Sequence, residues 1–302
     1  MPAALIALDW GTSSFRAWLM DGAGRVLDEL SAPMGILAVP EGDFDGAFES
    51  WLAGWLAGAP DLPIIASGMI TSRNGWVETP YAALPVDVET LAAQVTPHRT
   101  RQGRVVHFVT GVAQNPADGL PDVIRGEETE IIGHLAASGA REGLFLLPGT
   151  HSKWLRVRDG AITDFSTAMT GELFALLSAH SILGRLMEPG PPQPVAFDQG
   201  VEVGRRGDLP LRLFSARALP LFGRLPAGAV SDYLSGLLIG AETAAALNGR
   251  DLSGGLTIVG RGDLAERYAR ALTAFAMPTA IAAPGMARHG LMEIAKRAGL
   301  LA

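Results

Sequence analysis

The sequence predicts an α/β protein made of two related halves, with mixed sheets flanked by helices. Three observations predict it. A strand–turn–strand pattern near the N-terminus returns in mid-chain, and strands alternate with helices after each copy. The 302 residues are 48% hydrophobic and only 18% charged, against about 25% charged in ordinary globular chains. A substantial core is therefore available, and global disorder is disfavoured.

The first copy is Leu5–Ala23, "LIALDWGTSSFRAWLMDGA", and the second is Gly143–Ala161, "GLFLLPGTHSKWLRVRDGA". At an offset of 138, with no gap, seven of nineteen positions are identical, including Gly11/Gly149, Thr12/Thr150, Ser14/Ser152, Asp21/Asp159 and Gly22/Gly160. Each copy reads strand, Gly-Thr turn, strand, Asp-Gly turn, strand, and Asp-Gly is a strong hairpin signal because it accepts positive φ. Two unrelated hairpins sharing turn chemistry would look similar. A duplicated half explains more, with 1–140 and 141–302 as the N- and C-terminal lobes.

Two such hairpins facing each other across a cleft would hold a polyphosphate between them. Backbone N–H groups and the hydroxyls of the Gly-Thr-Ser turns would be the donors. The candidates are Gly11, Thr12 and Ser13 in the first loop and Gly149 and Thr150 in the second. Asp9, at the end of the first strand, suits Mg²⁺ or its water shell; the alternative is a turn Asp bonding its own backbone. Leu147 stands at the equivalent place in the second copy, where His151 and Lys153 supply basic groups instead.

The remaining elements follow in order. "LPIIASGMITSRNGW" (62–76) reads as a buried strand and a Gly-rich polar loop, and "RVVHFVTGV" (104–112) as one strand. "RGEETEIIGHLAASG" reads as a helix with Glu127 and Glu128 in its first turn, an Ile131, Ile132, Leu135 stripe and Gly139 at its end. "TGELFALLSAHSILGRLM" reads as a helix, and Gly184–Pro220, rich in Pro and Gly, as irregular. "SDYLSGLLIGAETAAALNGR" is a helix with Ser231 as N-cap and Asn248-Gly249 at its end. "LTIVGRGDLAERYARAL" is a strand, a Gly loop and a helix.

Charge and composition narrow the function. The net charge of −7 comes with no basic tract, which argues against nucleic-acid and membrane-surface partners. The lack of Cys excludes disulfides and Cys-ligated metals and fits a cytoplasmic protein. The N-terminus reaches Asp9 too soon for a signal peptide, and no apolar run approaches the roughly 20 residues of a membrane span. The oligomeric state stays open, a homodimer being one option.

The two hairpins, the later strand–Gly-loop–helix and the order of elements resemble the sugar-kinase/actin/Hsp70 superfamily. More narrowly, "DWGTSSFRAW", "SGMITSRNGW", "RGEETEIIG", "PGTHSKW", "TAMTGEL" and "SGLLIGAE" together are similar to the 2-dehydro-3-deoxygalactonokinase family. That resemblance implies a duplicated two-lobe actin-like ATPase fold of ribonuclease H-like halves, with ATP in the interlobe cleft. It also implies transfer of the ATP γ-phosphoryl group to the 6-hydroxyl of 2-dehydro-3-deoxy-D-galactonate. On that pattern 9–12 and 148–153 are the phosphate loops, and Gly260, Arg261 and Gly262 lie on the adenosine side. Related sugar kinases place an Asp after a Gly at a helix start, and Glu127 matches that position for the base, with Glu128 beside it. Both would also complement a helix dipole, worth about 0.3–1 kcal/mol each.

The substrate carboxylate needs a cation or N–H donors. Arg73, Arg125 and Arg16 are the candidates, with Asn74 and Trp76 placed to bond and shield the sugar chain. The competing functions are a kinase of another sugar or aldonic acid, such as 2-dehydro-3-deoxygluconate, and a non-catalytic nucleotide-binding relative. A nicotinamide-dependent dehydrogenase is disfavoured, because "IVGRGDLAERY" lacks the full G-x-G-x-x-G spacing.

Overall fold

The computed structural model describes residues 2–117, 119–250, 252, 254–260 and 262–301. The strands are β1 (Ala3–Trp10), β2 (Phe15–Asp21), β3 (Val26–Ala32), β4 (Ile64–Ser67), β5 (Tyr81–Ala83), β6 (Thr96–Arg99), β7 (Val105–Phe108), β8 (Gly111–Gln114), β9 (Asp122–Ile124), β10 (Gly143–Leu147), β11 (Ser152–Arg158), β12 (Ala161–Ala168), β13 (Leu256–Ile258) and β14 (Thr279–Ile281). The helices are α1 (Phe44–Trp51), α2 (Ala53–Gly58), α3 (Val88–Ala93), α4 (Glu127–Ser138), α5 (Thr170–His180), α6 (Pro194–Gly204), α7 (Leu209–Arg212), α8 (Ser215–Leu221), α9 (Val230–Leu247), α10 (Gly262–Thr273) and α11 (Met286–Arg297).

The two copies read from the sequence open two sheets of matching order. One runs β3-β2-β1-β4-β7-β6 and the other β12-β11-β10-β13-β14. In each, the first strand of the copy lies beside its hairpin partner on one side and beside a later strand on the other. Those later neighbours, β4 and β13, run parallel to it. Such a central strand is covered on both faces, which is why Leu5–Leu8 and Leu144–Leu147 are unbroken apolar runs. The edge strand β3 is mostly exposed and carries Asp28 and Glu29, charges that discourage edge pairing. A third sheet, β5-β8-β9, takes up the end of "RVVHFVTGV", which is two strands rather than one. The chain leaves the first sheet at Val109, and Gly111 lets it press against the Ile124 carbonyl, where a Cβ would lie only 2.6 Å away.

Two compact units emerge. The first comprises Met1–Glu142, Arg156–Phe165 and Ala283–Ala302; the second comprises Gly143–Leu155 and Ser166–Ala282. The first unit is built on Ile6, Leu8, Trp10, Phe15, Phe48 and Phe108. The second has one core about Leu146, Trp154, Ile258 and Tyr268, and another about Ala216, Tyr233, Leu234 and Leu237.

The Asp-Gly turns differ despite identical sequence. Asp159 and Gly160 both take positive φ, at 51° and 82°. In the first copy the Asp21 carboxylate instead accepts the N–H groups of Ala23 and Arg25, and Gly24 takes the positive φ. The Arg25 N–H, first among these partners, holds the Asp21 carboxyl below its ordinary range.

The stretch expected to be irregular, 184–220, is largely helical, forming α6, α7 and α8. Two of its prolines sit in first helical turns, Pro194 in α6 and Pro210 in α7, where no N–H is missed, and Pro220 lies inside the short α8. Gly200 and Gly204 serve packing. A Cβ on Gly200 would lie 2.1 Å from the Tyr233 carbonyl, and one on Gly204 would lie 2.1 Å from that of Leu237. From the other side, Gly236 and Gly240 of α9 press on the Phe197 and Val201 carbonyls of α6. Four glycines thus let two helices meet backbone to backbone. Helix α9 begins at Val230 after a 3₁₀ turn, so Ser231 lies in its first turn and Ala229 is the N-cap. Helix α5 ends at His180, earlier than its apolar pattern suggests.

Helix α4 is held by α11 in the same way. A Cβ on Gly133 would lie 2.0 Å from the Met286 carbonyl, and one on Gly290 would lie 1.9 Å from that of Thr129. Gly290→Ala is therefore expected to push α11 off α4 and cost about 1–3 kcal/mol, the usual range for overpacking. Urea unfolding of the variant checks it, and an unchanged midpoint would show that the helices separate freely.

Candidate active site

In the first unit three chain ends converge on Asp9. Asp9 is the penultimate residue of β1, where its register partners are Arg16 on β2 and Ser67 on β4. Gly68 follows β4 with φ 96°, and a Cβ there would lie 2.9 Å from the Trp10 carbonyl and 3.2 Å from Asp9 Oδ1. Gly126 precedes α4 with φ 109°, and its Cβ would lie 3.2 Å from the Gly68 Cα. Two glycines at positive φ therefore bring the end of β4 and the start of α4 against the end of β1. A side chain at either position would separate them.

The loop after Asp9 is shaped from below and behind. Trp10 is fully buried and stacks edge-on against Phe15, with ring centroids 4.9 Å apart. Ile36 N–H donates to the Gly11 carbonyl at 3.0 Å and Leu37 N–H to that of Thr12 at 3.3 Å. Gly35 fits so closely that a Cβ would lie 2.3 Å from the Ser13 nitrogen. Thr12 and Ser13 remain exposed.

Charge is concentrated here. Arg16 donates to Asp9 Oδ2 and lies 3.6 Å from Glu130 Oε1. Glu127 Oε2 accepts the Arg125 N–H at 2.8 Å. Both Glu128 oxygens accept the Gly126 N–H, at 2.9 and 2.7 Å. Glu128 is fully buried, whereas Glu127 and Glu130 are partly exposed. Burial, with the Glu127 charge second, pushes the Glu128 carboxyl up to about 7. Burial and then the Asp9 charge push Glu130 up to about 8, against the opposing pull of Arg16. Glu130 did not stand out in the sequence. Its signal was the i, i+3 spacing from Glu127, which puts both on one helix face.

The residues expected to hold the sugar acid separate into two groups. Arg73 and Asn74 are exposed on the loop after β4. Arg125 and Trp76 hold that loop in place. The Arg125 guanidinium is buried; its Nη1 donates to the Thr71 carbonyl (2.5 Å), the Thr71 hydroxyl (2.6 Å) and the Thr79 hydroxyl (2.8 Å), and it lies over the Tyr81 ring at 4.3 Å. Trp76 packs on Phe48, His98 and Phe108, and its indole N–H donates to Asp45 at 3.2 Å. Arg16 is not simply solvated, since Asp9 and Glu130 both draw it in.

In the second unit, Pro148–His151 joins β10 to β11. The first turn of α5 packs directly on it: a Cβ on Gly171 would lie 2.5 Å from the Gly149 carbonyl, and Glu172 N–H donates to the Thr150 carbonyl at 3.0 Å. His151 Nε2 lies 2.5 Å from Glu172 Oε2. Lys153 is buried on β11 and donates to the Thr167 hydroxyl at 3.0 Å. Gly260, with φ 155°, would bring a Cβ to 3.4 Å from Pro148, and Gly262 opens α10. Arg261 lies outside the described residues. A cavity of about 290 Å³ adjoins the loop, lined by Gly149, Thr170, Gly171, Ser235, Arg267 and Tyr268. That is near the lower end of the range for small-molecule sites, about 300–1,000 Å³. Arg267, which sequence reading passed over, pairs with Asp232 at 2.5 Å.

The chain is similar to known proteins over nearly its whole length. A solved structure from Sinorhizobium meliloti carrying the 2-dehydro-3-deoxygalactonokinase name superposes with a TM-score of 0.87 at 36% identity, covering 97% of this chain and 98% of that one. The activator of the 2-hydroxyisocaproyl-CoA dehydratase from Clostridium difficile shares the fold alone, with a TM-score of 0.51 at 10% identity, covering 96% of this chain and 92% of that one. A Rhizobium meliloti protein named a probable 2-dehydro-3-deoxygalactonokinase is 37% identical over 298 residues, 96% of each chain. The Escherichia coli 2-dehydro-3-deoxygalactonokinase is 33% identical over 297 residues, 98% of each. The family model for 2-keto-3-deoxy-galactonokinase matches residues 9–294, from Asp9 near the end of β1 into α11, and the chain belongs to that family.

Proposed function

We propose that this protein phosphorylates 2-dehydro-3-deoxy-D-galactonate at its 6-hydroxyl with ATP, in the cytoplasm. The observation that supports it most is the meeting of Asp9 and the Glu127 end of α4 at Gly68 and Gly126, in a chain of this family. The hydroxyl oxygen attacks the γ-phosphorus, the bond from that phosphorus to the bridging oxygen breaks, and ADP leaves. Such a transfer has little covalent chemistry for the protein to do, so positioning and charge carry it.

Glu127 takes the hydroxyl proton. It is partly exposed and held by the Arg125 N–H, whereas Glu128 is enclosed and bonded to Gly126. Mg²⁺ is commonly held by one or two carboxylates together with substrate phosphates, and Asp9, its side chain 13% exposed at a strand end, fits that role. Bound there, the ion would neutralise charge on the phosphates. Arg16 keeps Asp9 aimed and shields it from Glu130. Thr12, Ser13, Gly149 and Thr150 supply N–H and hydroxyl donors to phosphate oxygens, and Lys153 and the His151 ring add further donors. Arg73 and Asn74 meet the sugar acid, on a loop stapled by Arg125 and Trp76.

The test is ADP release from ATP and Mg²⁺ across a panel that includes 2-dehydro-3-deoxygalactonate and its gluco epimer. Release with the galacto acid, giving the 6-phosphate, is expected. Release with a different member alone would keep the kinase and move the substrate. No release with any, alongside ATP binding, would point to a non-catalytic relative.

A further inference from the structure

Helix α9 carries a carboxylate at Glu242 that the phosphoryl-transfer chemistry does not use. It is only 8% exposed. Burying a charge is costly unless its oxygens are well bonded, and here donors arrive from three other elements. Trp154 of β11 donates its indole N–H to Oε1 at 2.8 Å. Tyr268 of α10 donates its phenol O–H to Oε2 at 2.6 Å. The Thr170 hydroxyl at the start of α5 is a further hydrogen-bond partner. The Tyr268 oxygen is in turn 2.7 Å from the hydroxyl of Ser152, the first residue of β11. Burial holds the Glu242 carboxyl above its ordinary value, and these bonds offset part of that rise. Burial and the Glu242 charge push the Tyr268 phenol far up, so it remains an O–H donor.

What these donors have in common is their position. Ser152 and Trp154 directly follow the Pro148–His151 loop. Thr170 precedes Gly171, whose backbone presses on Gly149. Tyr268 sits on the helix that starts just after Gly260. Thr170 and Tyr268 also line the 290 Å³ cavity beside that loop.

We propose that Glu242 is a positioning residue that fixes the second phosphate loop, the start of α5 and helix α10 in the arrangement that binds nucleotide. This rests on the kinase reading above. A carboxylate presents acceptors on both oxygens, which is what converging donors require. An amide turns one of them into a donor facing a donor. Glu242 therefore acts on nucleotide affinity through the loop, without touching nucleotide or sugar acid.

The experiment compares wild type, Glu242→Gln and Tyr268→Phe. Thermal melts establish folding, calorimetry measures binding of a non-hydrolysable ATP analogue with Mg²⁺, and steady-state kinetics give both KM values. Glu242→Gln is expected to weaken analogue binding and raise the KM for ATP by about tenfold, the scale of one lost buried hydrogen bond. The KM for the sugar acid should stay within about threefold, a split that general loosening would not produce. Tyr268→Phe keeps the ring, removes one arm of the network and should shift both nucleotide values in the same direction by less; it carries the test if Glu242→Gln fails to fold. Wild-type affinity in a folded variant, or a parallel rise in both KM values, would overturn the proposal. If wild type binds the analogue yet phosphorylates no sugar acid, the substrate reading fails and this one stands or falls on binding. If wild type binds no nucleotide, both fail.

Discussion

Glu127→Gln is expected to lower kcat by about 10²–10⁴, the range for losing a general base, while the KM for the sugar acid stays close to wild type. The amide preserves the length of the side chain and an oxygen to accept the Arg125 N–H, so the start of α4 should keep its shape. What it cannot do is take a proton from the attacking hydroxyl. Glu128→Gln is the informative companion. That carboxyl is fully enclosed and held on the Gly126 N–H, so its replacement should act on stability more than on turnover. Single-turnover measurements on both variants separate the chemical step from product release. Loss of turnover in Glu128→Gln with a near-normal Glu127→Gln would move the base one residue along the helix, and a structural rearrangement would then have to expose it.

Asp9→Ala is expected to reduce kcat by about 10³-fold or more in a folded protein. A correctly held metal ion contributes several kcal/mol to such a transition state, and each 1.4 kcal/mol is about a factor of ten. Asp9→Asn should retain more structure than activity and should need a higher Mg²⁺ concentration for half-maximal rate. Removing the carboxylate also leaves Arg16 with Glu130, 3.6 Å away, so β2 keeps an ionic tie to α4. Near-normal kcat at ordinary Mg²⁺ in a variant with an unchanged melting curve would remove Asp9 from the mechanism.

Much of the fold is legible in local patterns. The apolar runs of β1 and β10, the repeated Gly-Thr and Asp-Gly turns and the stripe of α4 each need only a dozen residues of context. Nearest-neighbour sterics and side-chain period decide them. The 184–220 stretch misleads because Gly and Pro have two meanings. As punctuation they break elements; at Gly200, Gly204, Gly236 and Gly240 they allow two helices to touch, and only the partner helix reveals which meaning applies.

The site divides along the same line. The sequence by itself determined which residue types stand at strand and helix ends: Asp9 before a hydroxyl-rich turn, acidic residues opening α4, and a second loop with His151 and Lys153. The tertiary structure decided what each of them faces. It set Arg16 opposite Asp9 through hairpin register and brought Glu130 to the same cluster. It enclosed Glu128 while leaving Glu127 partly open. It turned Arg125 inward onto Thr71 and Thr79, and it gathered Trp154, Thr170 and Tyr268 around Glu242. The physical reason is that propensity and period act over a few residues. The burial of a charge and the partner that satisfies it depend instead on segments distant in the chain, and here on backbones that meet only where glycine leaves room.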